Sequence, residues 1–564
     1  MSCFSVIAQE KEKPIESETV VIVKPYSPTA KASRKIKSEP QLQDSAVVQK
    51  RKLNYSINSV PVASTFSPIQ GQANPLKKER RPSVYNSYIK GGFGNYLNVL
   101  GELYTSIELD KQSNLVGNVQ HFSSQGGIDD IVLDNDFSTT ALDLNYLKKT
   151  KNFEWKINLL GDRNALNWYG APDGFQEESL NDGLDFKQIY SGAGVGASVS
   201  FYESAFKSME LSFVRFWDEY NSTENRFQLS PRLLFDIGEE QFEVTAALDY
   251  LGGEFTQNFD NEIDLEYHNL IAGVTPVFKF GSEHFGIDIG GTVTTWYDIE
   301  NDETELFVYP KLYAAYAVEG DVIIPFIGAD GGLEQNTYRN FVSGNPFVSP
   351  TLFIAPTNTL YHVFGGIKGN IASNVTYQLQ AGYKDQENAA FFARNRPFQL
   401  ISAIDEPYQY DNSFEVLYDD MQTIQVSGNV SAEINEDFDL SFYASYANYE
   451  TENLPEVYNL PAVEASFVGT YDFTKQLSLG AEVFFVGERK AATYSFPADA
   501  PILGSTTLDA FVDFNINATY QITNQFSVFL NGNNLLGSYD RWINYPTQGI
   551  QVMGGLSYQF NLGK

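Results

Sequence analysis

Leu508-Asp509-Ala510-Phe511-Val512-Asp513-Phe514-Asn515-Ile516-Asn517-Ala518-Thr519-Tyr520-Gln521-Ile522 is the stretch that decides the fold. One face carries Leu508, Ala510, Val512, Phe514, Ile516, Ala518, Tyr520 and Ile522; the other carries Asp509, Asp513, Asn515, Asn517, Thr519 and Gln521, with Phe511 as the one apolar exception. A period of two belongs to a β-strand, because successive Cβ atoms point to opposite faces, and a helix of 3.6 residues per turn cannot produce it. The last residues repeat the pattern. Ile550, Val552, Gly554, Leu556, Tyr558, Phe560 and Leu562 alternate with Gln551, Met553, Gly555, Ser557, Gln559 and Asn561. A strand crossing a bilayer needs about 9 to 11 residues, whereas strands of soluble domains usually stop at about 5 or 6. The stretch from Thr507 to Ile522 reads as one strand of about sixteen residues, long enough for its ends to stand clear of lipid.

Composition agrees with a barrel. The 564 residues contain 34 Tyr and 42 Phe, which suit aromatic girdles at two membrane interfaces. Mean hydropathy is slightly negative at −0.27 and no run of 18 apolar residues occurs, which excludes a helical membrane protein. Polar lumen-facing positions dilute the hydropathy of barrel strands, so a barrel passes the same test. The net charge of −33 is unevenly placed: the first 83 residues hold 14 Lys and Arg against 7 Asp and Glu, so +7 there leaves −40 for the rest. An acidic body argues against nucleic acid, whose phosphates demand a basic surface.

Residues 1–9 read as the remnant of a secretory signal peptide, with Ala8 near a cleavage point and the single cysteine, Cys3, inside it. Residues 10–83 form a basic, Pro- and Lys-rich extension, and residues 84–564 the barrel. From Tyr85 onward short polar connections such as Lys149-Thr150-Lys151, Ile237-Gly238-Glu239, Ala372-Ser373-Asn374 and Thr523-Asn524-Gln525 alternate with long ones. The long ones fall near residues 164–187, 335–357, 385–415, 449–464, 488–506 and 536–548. Such asymmetry is that of outer-membrane barrels, with turns in the periplasm and loops outside, and the spacing predicts about 22 strands with both chain ends on the turn side.

The closing segment resembles TonB-dependent receptors of the Gram-negative outer membrane. The residues that carry the likeness are Gly532-Asn533-Asn534-Leu535-Leu536, Tyr539-Asp540, Asn544-Tyr545-Pro546, Gly549 and Gly555-Leu556-Ser557-Tyr558-Gln559-Phe560. The resemblance implies a transmembrane antiparallel barrel embedded in outer-membrane lipid and a role in solute transport. Members also carry an N-terminal plug, for which the residues before the first strand leave no room, so a plugless barrel is expected. Glu18, Thr19, Val20, Val21, Ile22 and Val23 are similar to the short box that pairs with TonB as an added strand, or form a plain extended segment. The basic extension is thus a candidate contact for TonB or another periplasmic protein. The other reading of the whole is a non-enzymatic barrel subunit of a larger outer-membrane complex for assembly, secretion or docking.

Catalysis has little support. A hydrolase needs a general base beside a nucleophile, and only His121, His268, His284 and His362 exist. No cofactor site is read. Gly192, Gly194 and Gly196 lie inside a strand with no helix after them, so they read as small residues in a crowded wall. The acidic loop Asp298, Glu300, Asn301, Asp302, Glu303 and Glu305 lacks the spacing of a calcium loop and reads as solvated. Trp168, Tyr169, Phe391 and Phe392 are expected to be exposed on outer loops as candidate ligand or partner contacts.

Overall fold

The computed structural model describes residues 85–170, 184–257, 259, 265–282, 284–318, 320–396, 406–495 and 502–563. Twenty-two strands form one antiparallel sheet that closes on itself. Closure joins the first strand, Ser87–Gly94, to the last, Gln551–Phe560, from Ser87↔Phe560 to Gly94↔Met553. The barrel's first and last described residues meet at the turn rim, where the Leu562 N–H donates to Asn86 Oδ1 at 2.8 Å. Short turns there hold Gly238 and Gly320 at φ of +69° and +53°, a backbone region in which a Cβ is strained.

Alternation in sequence becomes alternation of environment. On Phe511–Gln521 and its neighbours Ile516, Tyr520, Leu530, Val552, Leu556 and Tyr558 are exposed on the outer surface of the wall. Phe235, Phe280, Phe285, Tyr316, Tyr471 and Tyr520 ring the turn rim, as an aromatic belt at a membrane interface requires. A closed sheet leaves no edge in lipid, which is why such a wall can span a bilayer.

Two expectations change. The run from Thr507 to Ile522 is two strands: Ile502–Leu508 pairs with Arg489–Ser495 in a hairpin outside the wall, and Phe511–Gln521 alone joins the barrel. Periodicity does not name a strand's partner, so the break at Asp509 and Ala510 is invisible to it. The expected loop at 385–415 is also shorter, because strands Val375–Arg394 and Phe414–Asn435 pair up to Arg394↔Phe414. Twenty residues at about 3.3 Å each reach about 66 Å, well beyond the hydrocarbon layer even when tilted.

Candidate functional site: an aromatic cap in the mouth of the barrel

The loop-side connections fold inward. One continuous apolar cluster joins wall residues Leu100, Phe122, Tyr190, Phe216, Leu251, Tyr267, Phe529 and Met553 to loop residues Trp168, Tyr169, Tyr338, Phe347, Tyr408, Tyr410, Trp542 and Tyr545. At its centre Tyr545 stacks on Phe347 with ring centroids 3.7 Å apart, and Tyr169 meets both rings edge-on. Each phenol has an outlet for its hydroxyl, as buried tyrosines need. Tyr545 donates to the Asn412 carbonyl and Tyr169 to the Pro546 carbonyl at 3.0 Å. A Cβ on Gly170 would stand 2.2 Å from the Tyr545 ring, so that position admits only glycine beside the stack.

A short helix, Tyr338–Gly344, anchors the cap to the wall. Thr337 caps it by accepting the Asn340 N–H at 2.9 Å. Its first two N–H groups, of Tyr338 and Arg339, donate to the Glu224 carboxylate at 2.6 and 3.2 Å, where the helix dipole also favours a negative charge. The Tyr338 hydroxyl donates to Asp218 Oδ2 at 2.8 Å. Burial pushes the Asp218 carboxyl above its usual range, against the pull of that bond. Arg339 reaches Asp162, on the wall strand Phe153–Asn167, at 2.5 Å. Gly192 leaves the room for that carboxylate, since a Cβ there would sit 2.7 Å from Asp162 Oδ1; the glycine-rich strand is crowded at this point, as its composition suggests.

The next loop is held by main-chain bonds. Ser349 N–H donates to the Phe414 carbonyl at 2.9 Å and Phe414 N–H to the Phe347 carbonyl at 3.1 Å. Beside it Arg394 pairs with Asp411 at 2.9 Å, yet burial still lifts the Asp411 carboxyl to about 7. Near the closing strand Arg489 donates to the carbonyls of Arg541 and Asp540 at 2.7 and 2.9 Å.

The aromatics expected on outer loops are placed differently. Trp168 has no exposed surface and packs on Tyr220 and Tyr408; Tyr169 is buried in the central stack. Phe391 is buried in a second cluster with Met421, Tyr458 and Ala492. Phe392 is half-buried, edge-on to Phe341 and Trp542. Loops that enter a lumen gain a core of their own, so their aromatics bury instead of facing water. Residues 18–23 lie outside the described residues.

The histidines are spread around the wall. His121 meets Thr140 at 2.8 Å, His268 meets Glu300 at 2.5 Å and His362 meets Asp330 at 3.1 Å, while His284 lies at a turn. In the acidic loop Asp298 accepts the N–H groups of Glu300 and Asn301, and Asp302 accepts the Tyr297 hydroxyl. Sequence reading missed the helix and its carboxylate anchors. The one signal available was Thr337 as a capping residue ahead of an apolar pair.

No protein-family model and no curated protein matches the chain. Solved structures do. The ferripyoverdine receptor of the outer membrane of Pseudomonas aeruginosa, bound to ferripyoverdine, aligns with a TM-score of 0.61 at 12% identity, over 86% of this chain and 73% of that one. The ferric-catecholate import receptor Fiu of Escherichia coli K12 gives 0.63 at 9% identity, over 85% and 82%. The FrpB iron transporter of Neisseria meningitidis gives 0.63 at 9%, over 86% and 83%. The fold is that of outer-membrane receptor barrels.

Proposed function

We propose that this chain is a receptor-like barrel of the Gram-negative outer membrane that carries a solute across it, its loop rim outside and its turn rim in the periplasm. The observation that carries the reading is the closed 22-stranded wall, which shares its fold with receptors for ferric siderophores and an iron transporter. Solute entry then requires the cap to yield, because the Tyr545, Phe347 and Tyr169 stack lies across the mouth. Energy coupling is assigned to the N-terminal extension, through residues Glu18 to Val23 in the manner of a TonB box. The barrel proper works by binding and gating.

The test is uptake. Cells lacking the gene and cells complemented with it are compared for accumulation of radiolabelled iron supplied as ferric siderophores, with and without residues 18–23. Accumulation that depends on both the barrel and the segment supports the reading. Growth and uptake indifferent to the gene across siderophore classes would sink it.

The buried cap favours a second reading, a fixed subunit whose outer surface serves as a docking platform. Purification from native membrane separates the two, since a platform comes with stoichiometric partners and a solitary transporter does not.

A further inference from the structure

One seam of the wall parts before it reaches the loop rim. Strands Glu303–Tyr316 and Ile324–Glu334 pair from Ala315↔Phe326 up to Lys311↔Asp330, and there the ladder between them stops. Each strand nonetheless continues on its other flank, the first to Asp298↔Glu303 and the second to Glu334↔Thr357. Several other seams run on toward the rim, as at Asn269↔Asp298, Thr223↔Glu254 and Arg394↔Phe414.

The sequence at the parting explains it. Pro310 has no N–H to donate, so it is tolerated where a ladder ends. Opposite it the chain bulges between Asp330 and Gly332. A Cβ built on Gly332 meets nothing within 4 Å, so space lies open beside that backbone. The gap is crossed by one side chain: the buried Tyr309 ring reaches to Gly331, where a Cβ would stand 2.8 Å from it, and its hydroxyl donates to Asn358 Oδ1 at 2.7 Å.

The two sides of the parting differ in chemistry. Outward-facing Leu306 and Val308 are 70% and 71% exposed. Residues alternate along a strand, so Tyr309 and Lys311 face the lumen. There Lys311 pairs with Asp330 at 3.3 Å, and His362 pairs with the same carboxylate at 3.1 Å.

We propose that this parting is a lateral slot through the barrel wall that admits one alkyl chain of a membrane amphiphile, with Tyr309 as its latch. Apolar lips toward lipid and a polar, hydrogen-bonding floor toward the lumen match a molecule with a hydrocarbon tail and a polar end. The opening is spanned by the breadth of one aromatic ring, which a single extended chain fits and a β-strand with its side chains does not. The slot is independent of whether a solute travels along the barrel axis.

The test uses the full chain in phospholipid vesicles, with Cys3→Ser and a single new thiol at Gly332→Cys. Two probes are compared, N-dodecylmaleimide, which partitions into the bilayer, and a sulfonated maleimide confined to water. Gln228→Cys, on the lumen side of a sealed part of the wall, is the reference. The ratio of alkyl to sulfonated labelling rates is expected to be at least tenfold higher at position 332 than at 228. Tyr309→Phe, which keeps the ring and removes its bond to Asn358, is expected to raise the alkyl rate at 332 severalfold. Equal ratios at the two positions, or labelling at 332 by the sulfonated probe alone, overturns the alkyl slot. A rate unmoved by Tyr309→Phe overturns the latch. Heat-modifiable mobility on gels verifies barrel closure, and Thr359→Cys, at the cross-strand partner of Gly332, replaces Gly332→Cys if the latter does not fold.

Discussion

Tyr545 lies face to face on Phe347 with 3.7 Å between ring centroids, and this contact ties the loop before the last strand to the loop that follows the short helix. Neither residue belongs to the wall, so the pair holds loop to loop and leaves the barrel itself untouched.

Tyr545→Ala should therefore loosen the cap without opening the wall. Truncating a fully buried aromatic costs about 3 to 5 kcal/mol, here charged to loop packing. Planar-bilayer recordings should show larger or more frequent openings than the parent chain, with heat-modifiable mobility unchanged. A loss of barrel closure instead would place the stack in the folding core of the wall.

Ile516→Arg and Asn517→Arg separate the two faces of one strand. Ile516 is exposed on the lipid side, so an arginine there should cost about 2 to 4 kcal/mol near mid-membrane. Asn517 faces the lumen, where the same change should fall within about 0.5 kcal/mol. Refolding yield into lipid vesicles gives the comparison, and identical behaviour would reverse the assigned faces.

A cysteine at Leu536, 63% exposed on a loop, should react with an impermeant thiol reagent on whole cells, and one at Lys475, in a short turn, should not. Labelling of the Lys475 site from outside would invert the barrel in the membrane.

Asp411 makes the cap sensitive to pH. Its carboxyl titrates near 7 in the folded loop against 3.8 when solvated, so the folded state holds the proton more tightly. Its stabilising contribution is then complete below about pH 4 and is lost as pH rises toward 7. Hydrogen exchange in the segment Pro407–Ser413, corrected for intrinsic rates, should quicken between pH 5 and pH 8. Asp411→Asn should remove that dependence; a slope that persists in the variant points to another group.

The wall was legible in the sequence because lipid on one side and water on the other impose a strict period of two, as along Phe511–Gln521. What the period cannot carry is the identity of the neighbour. Leu508 continues the alternation of Phe511–Gln521, yet it belongs to Ile502–Leu508, whose hydrogen bonds go to Arg489–Ser495. Trp168 and Tyr169 read as surface residues because loop residues ordinarily are, and only the inward fold of several distant loops together buries them. The helix Tyr338–Gly344 is seven residues long, too short for a 3.6-residue pattern to stand out, and Glu224 and Asp218 acquire their roles only once it docks. The parting above Lys311 had its marks in Pro310 and the Gly331-Gly332 pair, but a proline and two glycines equally describe a turn.

Pairing of Ser87–Gly94 with Gln551–Phe560 also sets a rule for biogenesis. Until the ten residues of the last strand have been exported, the growing sheet has two bare edges hundreds of residues apart in the chain, each able to pair with a stranger. A nonsense codon that removes only the last strand should therefore yield a chain destined for proteolysis and not a slightly weakened pore.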